Sequence, residues 1–213
     1  MDASALVCKI VVEFKKIEHD DPQPNGKREW TEKVLTTLCE LGRRLCYTAW
    51  ATNNPKKWLY DVSWSKCHKK HGRLLSVPMV AECEWGKEED IGYDFEKLLL
   101  ARAAVRVMVY GWKDTKRINE DFLKSVRAFQ GASEDTYLLI AFVWDDSKQR
   151  NRAEFAKIVD EGDGPRLRGS WTWIWPDQTR SPSACSSSFL SCVRSRLWID
   201  SILAIYFLLL GGE

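Results

Sequence analysis

Apolar residues recur at two spacings along this chain, and the alternation between those spacings sets out its elements. Leu6, Val7, Ile10, Val11, Phe14 and Ile17 fall three and four apart, which predicts an amphipathic helix over residues 4–18 packed as a lid on the rest. Residues 19–26 carry two prolines, Asn25 and Gly26, the chemistry of a linker. A second helix is expected from about Glu29, with Trp30, Val34, Leu38 and Leu41 on one stripe and Gly42 near its end. From Leu45 the pattern becomes strand-like. Residues 45–52 are aromatic and small, and Asn53, Asn54 and Pro55 close them as a turn. Residues 58–64 and a run from Leu74 or Val77 to Trp85 read as two strands joined by a basic loop, hence a hairpin.

Beyond Gly86 the two spacings keep alternating. Ile91, Phe95, Leu98 and Leu99 predict a helix over 88–104, with Glu88, Glu89 and Asp90 suited to its N-terminus. A strand is expected over 105–110, a helix over 118–129, a strand over 137–144 and a helix over 151–158. Strands interleaved with helices argue an α/β fold, a three-layer core with a mixed central sheet flanked by helices. This core is expected to fill residues 1–165. Residues 166–213 are then an edge strand (171–175), a Ser-rich linker (181–191) and an apolar tail (197–210). The uncharged part of that tail is shorter than the roughly 20 residues of a membrane span, so a membrane partner is not expected.

Composition narrows the function only a little. The net charge of +2, with 45% hydrophobic and 29% charged residues, excludes a strongly basic nucleic-acid binder and an intrinsically disordered chain. Seven scattered cysteines, an odd number, fit reduced thiols in a cytoplasmic setting, and residues 1–20 are too charged for a signal peptide. The eleven tryptophans are spread out, as packing residues would be.

The chemistry concentrates in the hairpin. Asp61 and Glu82 are nearly equidistant from the loop centre near His71 and Gly72, so antiparallel pairing sets them side by side. Glu84 then shares their face, while Ala81, Cys83 and Trp85 point the other way. A one-residue slip would send both glutamates to the opposite face, so the site is a statement about register. Carboxylates inside apolar runs are costly unless a cation joins them. Mg²⁺ or Mn²⁺ accepts two or three carboxylates plus a carbonyl, here Asp61, Glu82 and the backbone oxygen of Cys83, with Glu40 on the second helix as an accessory acid. Such an ion can activate water for phosphodiester hydrolysis. Lys66, Lys69, Lys70 and Arg73 in the loop are candidate phosphate contacts, making nucleic acid, DNA in particular, the expected partner, with a homodimer as an assembly option. Cys67, His68 and His71 form half of a zinc pattern, and no second pair follows. No Gly-rich phosphate loop or Gly-x-Ser-x-Gly elbow is present.

A helix, a hairpin carrying Asp61, the run Glu82-Cys-Glu84, then a helix and another strand, over about residues 29–145, resembles the PD-(D/E)xK nuclease superfamily, the restriction-endonuclease-like fold. The resemblance implies a metal-dependent DNA endonuclease, a hydrolase using Asp61 and Glu82 as ligands. The family's lysine would fall on Glu84. Some members tolerate an acid there and others supply lysine from the following helix, where Lys97 of Asp94-Phe-Glu-Lys97 is the candidate. Tyr60 stands where the name-giving proline would be. The catalytic set so implied is Asp61, Glu82, Glu84 and Lys97. The alternative is a catalytically inactive module of the same fold that binds nucleic acid or protein.

Overall fold

Helix α1 (Ala3–His19) lays Leu6, Ile10, Phe14 and Ile17 against the sheet, and α2 (Gly26–Arg44) does the same with Trp30, Val34, Leu35 and Leu38. The computed structural model describes residues 1–19, 22–51, 59–129, 136–160, 162 and 164–171. The strands are β1 (Thr48–Ala51), β2 (Val62–Cys67), β3 (Leu74–Glu84), β4 (Val105–Gly111), β5 (Thr136–Asp145), β6 (Arg150–Asp160) and β7 (Pro165–Trp171). Helix α3 (Glu88–Leu99) connects β3 to β4, and α4 (Thr115–Ala128) connects β4 to β5.

All seven strands join one mixed sheet in sequence order. The pairs β3/β4 and β4/β5 are parallel and the rest antiparallel. Parallel neighbours need a crossover, and both crossovers here are helices. One apolar layer joins α1 and α2 to Met79, Ala81, Cys83, Val107 and Ile140; the other joins α3 and α4 to Val80, Met108, Tyr110 and Leu139. The fold is therefore a three-layer α/β core, helices on both faces of a mixed sheet. Because β3, β4 and β5 are covered on both faces, their central residues are apolar without alternation.

Three expectations change. Residues 151–158 are strand, part of β6, and not helix. Ala153 and Phe155 face α1 and α2 while Ala156 and Ile158 face α3 and α4. A strand buried on both faces thus shows apolar residues three apart, which imitates a helix. The edge strand is Pro165–Trp171, bonded to β6, so the sheet continues past residue 165. Helix α3 stops at Leu99: the Arg106 guanidinium donates from Nε to the Ala101 carbonyl (3.0 Å) and from Nη1 to that of Ala103 (3.1 Å), holding the chain in a non-helical turn. The 53–55 turn, the start of the expected strand at Trp58, residues 172–175, the Ser-rich stretch and the apolar tail lie outside the described residues. Among the described residues no helix is long and apolar enough to cross a membrane.

Candidate metal centre

The register of the β2/β3 ladder builds the site. Val62 pairs with Ala81 and Ser63 with Val80, which carries Asp61, one residue before β2, to the position beside Glu82. Asp61 is fixed there by the backbone of its neighbour strand, Oδ2 accepting the Cys83 N–H at 3.1 Å. Glu82 is 1% exposed. Neighbouring Ala81 and Cys83 point to α2, so Glu82 faces α3 along with Val80.

Helix α3 meets that face. Its acidic first turn is anchored by Asp90, whose carboxylate accepts the Lys87 N–H at 3.2 Å, and Ile91, Phe95 and Leu98 are buried beneath it. Two turns later Lys97 sends its ammonium 2.8 Å from Glu82 Oε1 and 2.9 Å from Asp94 Oδ1. The ammonium pairs with Glu82 chiefly as a charge, and neither Glu82 oxygen makes a hydrogen bond of good geometry. Lys97 is 21% exposed, so the cluster is reached by solvent along its side chain.

Burial is the largest influence on Glu82 and raises its pKa; the charge of Asp61 adds to the rise and Lys97 opposes it, leaving the group at about 8. Asp61 is raised as well, first by burial, with the Cys83 amide and Lys97 pulling the other way. For Lys97, burial acts to lower the pKa but is outweighed by the two carboxylates, and the ammonium is held more firmly than in water. At neutral pH the cluster therefore holds a proton on Glu82 as well as the ammonium.

The other expected residues lie elsewhere. Glu84 does not join the cluster: its carboxylate turns back to accept the Gly86 N–H and lies beside Asp90, satisfying the turn that leads into α3. Cys83 by contrast stays beside Asp61, to which it donates its amide N–H, while its thiol is buried on the α2 face, burial raising its pKa well above the usual value. Glu40 is exposed on α2, across the sheet from Asp61 and Glu82. Lys66, Lys69, Lys70 and Arg73 are exposed at the hairpin tip, which is closed by His68 N–H to Arg73 O (2.8 Å) and Gly72 N–H to His68 O (2.9 Å). Gly72 has φ +67°, and the rings of His68 and His71 stack at 3.7 Å. The tip lies at the opposite end of the strands from Asp61, about 20 Å for six residues at ~3.3 Å each.

Sequence reasoning passed over Asp94. Its signal was the three-residue spacing to Lys97, which places both on one helix face. Among the described residues no three His, Cys, Asp or Glu side chains stand close enough to hold an ion together, and the Lys97 ammonium lies between Glu82 and Asp94.

No protein-family profile matches the chain, and no curated protein does. Among solved structures it is similar to the YaeQ protein from Xanthomonas axonopodis pv. citri, at 8% identity over 70% of this chain and 79% of that one, with a TM-score of 0.28. Likeness at that level carries no argument about fold or function.

Proposed function

We propose that this chain is a metal-dependent phosphodiesterase of endonuclease type acting on DNA, related in plan to the PD-(D/E)xK nucleases. The observation that carries the reading is the buried Glu82, beside Asp61 and with no well-formed hydrogen bond to either oxygen. A buried pair of carboxyls, Glu82 and Asp61, drawn together around a positive group fits a divalent cation, Mg²⁺ or Mn²⁺. Asp61 and Glu82 would hold that ion, which when bound supplies an activated water and neutralises phosphate charge.

The residues of the chain supply the rest. The Cys83 amide fixes the orientation of Asp61, so the carboxylate needs no reorganisation when a ligand arrives. Lys97 approaches from the helix behind, in the role the resemblance assigns to a migrated lysine, and its positive charge can orient an anionic phosphate. The hairpin cations lie too far from Asp61 to touch the same phosphate and would instead grip the DNA backbone some base pairs away. Cys39, Cys46, Cys67 and Cys83 are free thiols, which supports the cytoplasmic reading.

A second reading, a catalytically inactive module of the same plan, is favoured by one observation: Lys97 is already engaged by Glu82 and Asp94 while Glu84 stands in the usual lysine position. Plasmid nicking with Mg²⁺ separates the two. The nuclease reading expects nicking by the wild type and its loss in Asp61→Ala and Glu82→Ala. Nicking that persists in Asp61→Ala refutes the assignment, and DNA binding without nicking favours the inactive module.

A further inference from the structure

Asp94 has no part in the proposal so far, yet it shares one ammonium with Glu82. Its side chain is 15% exposed, and it acts electrostatically on both Asp61 and Glu82. Two carboxyl groups, Glu82 and Asp94, therefore hold a single ammonium, the third, Asp61, lies within its electrostatic reach, and the most buried of them, Glu82, makes no hydrogen bond of good geometry. That arrangement is a cation site occupied by the protein's own cation.

The dimensions say what a metal would change. The ammonium keeps Glu82 Oε1 and Asp94 Oδ1 at 2.8 and 2.9 Å from its nitrogen. Oxygen ligands stand about 2.0–2.1 Å from Mg²⁺, so an ion in that place would draw each carboxylate inward by roughly 0.8 Å. An ammonium and a dication cannot share the space, because their repulsion in a partly buried site is large. Lys97 has a way out, since its side chain already reaches solvent.

We infer that Asp94 is a third oxygen ligand, joining Asp61 and Glu82, and that the Lys97 ammonium holds the carboxylates apart until a divalent cation displaces it. The inference rests on the reading of Asp61 and Glu82 as cation ligands. It makes Lys97 a tethered competitor of the metal. Once expelled, its charge stands at the mouth of the site, where a phosphate would arrive.

The test is titration calorimetry with Mn²⁺ alone, without nucleic acid, on folded proteins checked by near-ultraviolet circular dichroism. Lys97→Met removes the competitor and is expected to tighten Mn²⁺ binding at least about tenfold over wild type. Lys97→Arg, which keeps a cation, should stay near wild type, and adding Asp94→Asn to Lys97→Met should cancel the gain. Should Lys97→Met fail to fold, the wild type still answers: reductive methylation of Lys97, read by mass spectrometry, should speed up in saturating Mn²⁺ as the amine is released to solvent. Equal or weaker binding by Lys97→Met, with binding still lost in Asp61→Ala, overturns the inference and leaves the metal site standing. Methylation of Lys97 unchanged by bound Mn²⁺ overturns it equally. Absence of Mn²⁺ binding in every variant removes both.

Discussion

Lys97 on α3 brings its ammonium to 2.8 Å from Oε1 of Glu82 on β3, although the two residues belong to different elements and only Glu82 is fully buried. The contact ties the helix crossover to the strand that carries the acids. It also sets the electrostatics: the ammonium opposes the rise of Glu82, and burial still prevails.

That rise has a consequence for stability. A carboxyl near 4.5 when unfolded and about 8 when folded binds its proton more tightly in the native state. Between these values the native state carries more protons than the unfolded one, so stability falls as pH rises from about 5 to 8 and then levels. The expected loss is on the order of a few kcal/mol. Urea midpoints measured from pH 5 to 9 should show the decline, and Glu82→Gln should flatten it. A Glu82→Gln curve parallel to wild type would mean that another group is responsible.

Glu84 and Asp61 should part company when substituted. Glu84→Gln keeps an oxygen for the Gly86 N–H and is expected to leave Mn²⁺ affinity within about twofold. Asp61→Ala removes one of the proposed ligands and should abolish binding. Calorimetry on the two variants side by side checks this; a Glu84→Gln protein that no longer binds the ion would return Glu84 to the site.

The hairpin tip should act through charge alone. If Lys69 and Lys70 each neutralise a phosphate, replacing both by alanine lowers the slope of log K against log salt by about 1.8 in magnitude. Fluorescence anisotropy with duplex DNA in EDTA, where no cleavage can occur, measures it. An unchanged slope would assign the tip to solvent.

Gly42 should resist even alanine. A Cβ at that position would stand 2.7 Å from Nε1 and 2.8 Å from Cε2 of Trp64, a ring that is fully buried under α2. The helix gains up to ~1 kcal/mol from Gly→Ala, while overpacking a core costs typically 1–3 kcal/mol. Net destabilisation of Gly42→Ala by about 1 kcal/mol is expected in urea denaturation. A stabilised variant would show that Trp64 can yield.

Much of the fold was legible because each helix follows its three-to-four spacing and the central strands β3, β4 and β5 are mostly apolar where they are covered. Residues 151–158 misled for a definite reason: a strand buried on both faces places apolar side chains at the interval that marks a helix, and only the β5 and β7 ladders distinguish them. Gly42 shows the same limit on a smaller scale. In the sequence it marks the approach of a helix end, whereas in the fold it is the gap that admits an indole.

The same division runs through the site. The sequence by itself determined that Asp61 and Glu82 are candidates for adjacent positions, because a hairpin and its two-residue alternation are local properties of the chain. It also placed Lys97 on the following helix, three residues after Asp94. The tertiary structure alone decided that the register carries Asp61 beside Glu82, that Glu84 turns to its own backbone, and that Asp94 and Lys97 close over the buried acid. Those outcomes depend on how deeply a side chain is covered and on which partner reaches it first, and neither is written in the spacing of residues along one strand.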